Sequence, residues 1–184
     1  MKKLIVFLVL ILCSCSSNTE HNEFISKPQS KQVAHKEAVI SEASTVIIDN
    51  GENRINNILL ACQKVSGMKL SPEEEFSFNN VTGKKNAKNG YKVAPVLVDG
   101  EKSYGIGGGV CQVSTTIYMT ALAGGFEITE HHNHSESVAY APDGNDATVV
   151  YGVKDFKFVN NTDSDIYIYV WVNNNNVISK IIKK

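Results

Sequence analysis

Three consecutive glycines, Gly107-Gly108-Gly109, run straight into Val110-Cys111-Gln112-Val113-Ser114-Thr115-Thr116-Ile117-Tyr118, and this junction limits the local fold more than any other stretch. Val110, Val113, Ile117, Ala121 and, more loosely, Leu122 recur at helical spacing, and Gly124-Gly125 stops the run. The pattern predicts a glycine turn feeding a helix with Cys111 in its first turn. Unpaired backbone N–H groups and the positive end of the helix dipole favour a thiolate there. Glycines at 107–109 let a substrate backbone come close and leave amides near Gly109–Cys111 free to hold a developing oxyanion. The competing reading of Cys111 is a small buried hydrophobe.

Met1-Lys2-Lys3 followed by the apolar run 4–12 reads as an export signal, too short to span a bilayer comfortably. Leu12-Cys13-Ser14-Cys15 has the form of a bacterial lipoprotein signal, with Cys15 as the lipidated new N-terminus. The expected protein is therefore extracytoplasmic and held to the membrane by a lipid anchor on Cys15. Plain secretion is the alternative. Residues 16–45, rich in Ser, Asn, Lys, Glu and Gln, read as a flexible polar tether, and the domain is expected over 46–184. A hydrophobic content of 42% supports a real core. Losing Lys2 and Lys3 with the leader takes the net charge from −1 to −3, which argues against a nucleic-acid partner. Cys62 and Cys111 then remain. A disulfide between them is conceivable, but Cys62 sits in an apolar helical stripe and reads as packing.

Val46-Ile47-Ile48 is expected as the first strand, and Asp49 or Asn50 as the cap of a helix lined by Ile55, Ile58, Leu59, Cys62 and Val65. Arg54, the single arginine, and Asn57 fall on its other faces. Arg54 could hold a carboxylate in a bidentate fork or form an ion pair with one of Glu73–Glu75. Phe76-Ser77-Phe78 reads as a strand, 84–89 as a solvated basic loop, and Ala94–Val98 as a strand closed by Asp99-Gly100. The tail carries strands at Phe156–Val159, Ile166–Val172 and Val177–Ile182. Within it Tyr167, Tyr169 and Trp171 share one face. They read as an ordinary packed face, with sugar binding as the alternative. The fold class expected is α+β, a largely antiparallel twisted sheet with two main helices in a single compact domain.

After the Cys111 helix, 126–130 alternates as a strand and runs into His131-His132-Asn133-His134-Ser135. Thirteen helical residues rise about 20 Å, and seven strand residues return about 23 Å. A strand antiparallel to the helix would bring a histidine level with Cys111, as general base beside nucleophile. His131, His132 and His134 are all in the returning segment, and Asp146, just before an expected strand Ala147–Tyr151, could orient one of them or merely stabilise its turn. Two imidazoles plus Cys111 could bind zinc, but no fourth ligand is evident, so no metal and no cofactor is expected. Ser114, one turn on from Cys111, could bond substrate or merely the helix backbone.

From Arg54 to the tail the sequence resembles the VanW family. Matching segments are Arg54-Ile55 with Asn57-Ile58, Phe76-Ser77-Phe78-Asn79, Gly90-Tyr91-Lys92-Val93-Ala94-Pro95, the run 107–116, His132-Asn133-His134-Ser135 and Asp146-Ala147-Thr148-Val149. One departure is Glu73, where the family usually has glycine after a proline. The resemblance implies an envelope protein acting on peptidoglycan stem peptides, since some members are described as cysteine L,D-transpeptidases. By that resemblance Cys111 attacks the carbonyl between the third and fourth stem residues, and an amine from a neighbouring stem resolves the thioester. His132 or His134 is the expected base and Asp146 its orienter. Gly107, Gly108, Gly109, Gln112, Ser114, Arg54 and Tyr91 are expected at the substrate. Two rivals keep the same partners: a cysteine amidase hydrolysing these peptides, and a non-catalytic lipoprotein that binds them.

Overall fold

The computed structural model of the chain describes residues 37–98 and 101–184. The leader, Cys13, Cys15 and residues 16–36 of the expected tether lie outside the described residues, as does the Asp99-Gly100 turn.

The first strand, β1 (Ala38–Val46), opens well before the Val46-Ile47-Ile48 strand expected, within the stretch 16–45 expected as tether. Its polar alternation, Ser41, Glu42, Ser44 and Thr45, reads as tether composition. Pairing along β9 (Asn176–Lys183) makes it a strand. Next come α1 (Glu52–Val65), β2 (Met68–Leu70), β3 (Glu75–Ser77) and the short α2 (Phe78–Thr82). A hairpin of β4 (Val93–Val98) and β5 (Glu101–Ile106) leads into α3 (Val110–Ala123) and β6 (Glu127–Glu130). A long segment then reaches β7 (Lys157–Val159), β8 (Ile166–Asn173) and β9. Every pairing is antiparallel. One sheet has the order β1-β9-β8-β2, a second β3-β7-β6, and β4-β5 stands as a ribbon. The described residues thus form one α+β domain with two long helices.

Helix α3 packs across β1 and β9, while α1 packs on β8 and against α3. Ile58, Ala61 and Val65 of α1 meet Val113, Ile117 and Ala121 of α3 and Ile168, Val170 and Ile181 of the sheet in one core, all at most 1% exposed. The second sheet is aromatic: Phe76 lies 5.1 Å from Phe158 and 5.9 Å from Phe156 between ring centroids. The Tyr167, Tyr169 and Trp171 face is half-buried, with Lys184 Nζ 4.8 Å from the Tyr167 ring and Lys180 Nζ 5.9 Å from that of Trp171.

Four local features differ from the expectation. Helix α1 buries Arg54, Asn57, Ile58, Ala61, Cys62 and Val65, a cleaner 3–4 stripe than the one expected, and leaves Leu59 49% exposed. Choosing the most apolar residues rotated the stripe away from two polar groups that the core bonds internally. Its N-cap is Gly51, whose N–H bonds Asp49 Oδ1 at 2.9 Å. Phe78 does not continue a strand. Ser77 caps α2 by accepting the Asn80 N–H at 3.1 Å, and the chain turns into that helix. Residues 147–151 form no strand: the chain runs extended along α3, bonded to its hydroxyls, and makes only an isolated bridge between Val150 and Lys154.

Glu73 sits at φ 63° in the turn Ser71-Pro72-Glu73-Glu74, which the Glu74 N–H closes on the Ser71 carbonyl at 3.0 Å. Proline followed by a left-handed residue is the pattern that favours glycine second. A left-handed L-residue costs about 1–2 kcal/mol, partly offset by the greater unfolded-chain freedom of glycine. Because the Glu73 side chain is exposed, Glu73→Gly is expected to stabilise the fold by about 0.5–1 kcal/mol, read as a higher urea midpoint at unchanged slope.

Candidate active site

The turn ahead of Cys111 is held from three sides. Gly109 caps α3 at φ 101°, and a Cβ there would lie 2.7 Å from Arg54 Nη1 and 3.0 Å from Ile58 Cγ1. At Gly108 a Cβ would meet the Pro95 carbonyl oxygen of β4 at 2.3 Å. Asn57, fully buried, spans the gap: its Nδ2 donates to Gly108 O at 3.0 Å and Lys92 O at 2.9 Å, and its Oδ1 accepts the Lys92 N–H at 2.8 Å. Within the turn, the Val110 N–H bonds Gly107 O and the Gln112 N–H bonds Gly109 O, each at 3.1 Å. Among the described residues the Cys111 N–H has no backbone partner, so it, and not that of Val110, is available to an oxyanion.

Several residues expected at the substrate are occupied inside the fold. Gln112, 1% exposed, donates to Val46 O at 2.9 Å and Thr45 Oγ1 at 3.0 Å, and accepts from Arg54 Nη2 at 2.7 Å. Arg54 therefore meets neither a glutamate of 73–75 nor solvent to any extent, being 9% exposed. Tyr91 is 2% exposed with its hydroxyl 3.3 Å from Thr82 O, and burial pushes its pKa up to about 12. Ser114 Oγ donates to Ala147 O at 2.6 Å. With Thr115, whose Oγ1 accepts the Ala147 N–H at 2.9 Å, it clamps the 146–149 segment onto α3. These are positioning contacts. Polar side chains beside a motif look like substrate contacts in a sequence, and burial alone separates the two roles.

The clamp brings Asp146 and His134 to Cys111. His134 Nδ1–H donates to Asp146 Oδ2 at 2.5 Å, and the His134 backbone N–H reaches the same oxygen at 2.7 Å. Asn133 Nδ2 donates to Asp146 Oδ1 at 3.0 Å. With Nδ1 so engaged, Nε2 is the ring nitrogen left free, and His134 and Cys111 lie close enough for each to shift the other's pKa. Cys111 Sγ also lies 3.7 Å from Thr148 Oγ1 and 3.8 Å from Val149 O. The other histidines are engaged elsewhere. His131 stacks on Tyr118 at 4.1 Å with Nε2 on Asp146 O at 2.7 Å. His132 Nε2 meets Glu130 Oε1 at 3.0 Å, its side chain 36% exposed against 10% for His134. His134 is thus the imidazole at the thiol, and His132 is not. Asn133, Thr115 and Tyr140 were missed as site residues. Burial raises the pKa of Tyr140, on which Cys111 and Thr115 are near enough to act; no periodicity marks that loop.

The electrostatics follow from this pairing. Burial, the largest single effect, would push the Cys111 thiol up, but the His134 imidazole, the Val149 backbone and the Thr148 hydroxyl together outweigh it and the net shift is downward. Burial likewise opposes the charged form of His134, and the Cys111 thiolate and Asp146 carboxylate carry it upward. Both directions favour the thiolate–imidazolium pair over the neutral thiol and imidazole. Cys62 shows the contrast: burial drives its thiol up to about 12 in an apolar setting. Both cysteines are free, so the disulfide weighed from sequence is not formed.

The alkylation rate of Cys111 by iodoacetamide should therefore rise with pH at a midpoint below the free-thiol value of about 8.5. Below that midpoint the thiol is protonated and inert. His134→Ala should return the midpoint to the free-thiol range or above it, whereas His132→Ala should leave it in place.

The VanW-like protein family matches residues 53–182 of the chain. An uncharacterized protein of Bacillus subtilis, YoaR, is 38% identical over 143 residues, 77% of this chain and 47% of that protein. The vancomycin B-type resistance protein VanW of Enterococcus faecalis is 27% identical over 135 residues, 71% of this chain and 49% of that protein. The chain thus spans about half the length of the curated relatives it matches. No solved structure matches it. With a family match running from the start of α1 nearly to the end of β9, through the Cys111 turn and the His134–Asp146 pair, the chain belongs to the VanW-like family.

Proposed function

We propose that this chain is an extracytoplasmic, lipid-anchored cysteine acyltransferase that acts on peptidoglycan stem peptides in the manner of an L,D-transpeptidase. The observation that carries the reading is the Cys111–His134–Asp146 constellation at the first turn of a buried helix. The resemblance from sequence supports peptidoglycan as substrate, and the name of the Enterococcus relative ties that protein to vancomycin resistance. The leader and the Leu12–Cys15 signal support the location.

In the proposed reaction the Cys111 thiolate attacks the scissile carbonyl, and the Cys111 N–H donates to the oxyanion. His134 passes its proton to the departing amine as the C–N bond breaks, leaving a thioester on Cys111. An incoming amine then attacks the thioester, His134 takes the amine's proton, and the thiolate is released. Asp146 stays ionised and holds the imidazole in the required tautomer. Water in place of the amine gives hydrolysis through the same residues.

The test is the purified protein with disaccharide-tetrapeptide, read by mass spectrometry. Cysteine-dependent dimers, or exchange of the terminal residue for an added D-amino acid, are expected from the wild type and absent from Cys111→Ala. His134→Ala and Asp146→Asn should lower the rate about 10²-fold or more, and His132→Ala should stay within a few fold of wild type. Cysteine-dependent loss of the terminal residue alone would reassign the protein as a hydrolase. A folded protein that binds the muropeptide without product would make it a binding module.

A further inference from the structure

The stretch 84–89 looks like a solvated basic loop in the sequence, yet Lys85 turns inward from it. Its stem lies against the glycine turn, with Lys85 Cβ only 2.9 Å from where a Cβ of Gly107 would stand. Its ammonium donates to Asn79 Oδ1 at 2.6 Å and lies 5.3 Å from the centroid of the Phe78 ring. Asn79 is itself fixed: its Nδ2 donates to Lys154 O at 2.8 Å and its backbone N–H to Asp155 Oδ1 at 2.9 Å, so Oδ1 must face the lysine. Among the described residues no carboxylate lies within 4 Å of Lys85 Nζ. The charges near enough to act on it are those of Cys111, Asp155 and Lys64. Beyond Asn79 a polar cavity of about 410 Å³ opens between Ser77, Glu130 and the 151–155 segment.

A half-buried cation without an ionic partner, held by a fixed amide and packed against the glycine turn that leads into Cys111, is a site for an anion. We propose that Lys85 is the anchor for a carboxylate of the molecule that Cys111 attacks, the carboxylate of the residue to be expelled. That carboxyl carbon stands two bonds beyond the leaving nitrogen, so an anchor at the turn that leads into Cys111 selects peptides cleaved at their last bond. The inference rests on the acyl-transfer reading and narrows it to substrates with a free C-terminus. Desolvation lowers the Lys85 pKa to about 8, and a bound carboxylate would raise it again.

The experiment compares alkylation of Cys111 by iodoacetate and iodoacetamide, which share a leaving group and differ in a carboxylate beside the reacting carbon. Mass spectrometry of the Cys111 peptide gives both rate constants, and an unreactive Cys62, buried in the core, reports that each variant is folded. The iodoacetate-to-iodoacetamide ratio should fall about fivefold or more in Lys85→Met, the equivalent of about 1 kcal/mol. It should hold in Lys85→Arg and in Lys88→Met, an exposed lysine of the same loop. Lys85→Gln replaces the methionine variant if Cys62 of the latter reacts. An unchanged ratio overturns the proposal even if both rates drop, because a lysine acting on the thiol slows both reagents alike. An equal fall in Lys88→Met overturns it too, by showing a diffuse field. Where turnover is measurable, Lys85→Met should raise KM for the acid-terminated peptide and leave its C-terminal amide unaffected; equal effects on both refute the anchor. A Lys85-dependent ratio without turnover of muropeptide keeps the anion site and removes the acyl-transfer reading.

Discussion

Close approach of backbone to backbone at the 107–109 turn is the contact on which the rest of the structure depends. Gly108 lies so near the β4 carbonyls, and Gly109 so near Arg54 and Ile58, that no side chain fits at either position. Helix α1, strand β4 and the start of α3 therefore meet without an intervening layer, and Asn57 ties all three together. That closeness sets where the first turn of α3 stands, and with it Cys111. It also explains why α1 buries an arginine and an asparagine on its inner face: each completes a polar group that the approach would otherwise strand. A buried donor or acceptor left unpaired costs about 1–3 kcal/mol, so these side chains are part of the packing.

The same accounting governs α3. It is buried almost all round, against β1 and β9 on one side and the 146–149 segment on another. Its hydroxyls bond inward: Thr116 Oγ1 donates to Gln112 O at 2.7 Å, and Thr120 Oγ1 to Thr116 O at 2.8 Å. Ser114 and Thr115 reach outward instead, to Ala147. One helix thus holds both the thiol and the segment carrying Asp146, so nucleophile and carboxylate are referenced to the same rigid element. An arrangement of this kind keeps its geometry without a β-ladder under the loop.

Within that frame three groups shift one another against the cost of burial. Asp146, 7% exposed, keeps its negative charge because His134 and Asn133 donate to it. That charge helps hold a proton on His134, and the imidazolium in turn favours the Cys111 thiolate. The pairing takes one histidine of the three. His131 spends its ring nitrogen on a backbone carbonyl, and His132 meets a carboxylate already bonded to Lys157 at 3.0 Å.

Much of this was legible in the chain. The glycine turn, the helix opening at Cys111, the strand returning toward it and the tail strands all follow from periods and breakers that act over a few residues. So does the pool of candidates from which His134 and Asp146 come. The strand at 38–46 was not legible, because its polar alternation becomes a strand only against β9. Nor was the burial of Arg54, Gln112 and Tyr91, the choice of His134 over His132, or the inward turn of Lys85. Each depends on which groups from distant segments share a dry space, and sequence spacing carries no record of that. Local sequence determined the elements and the chemistry available at them. Tertiary packing decided which polar side chains were spent on holding the fold and which were left facing the thiol.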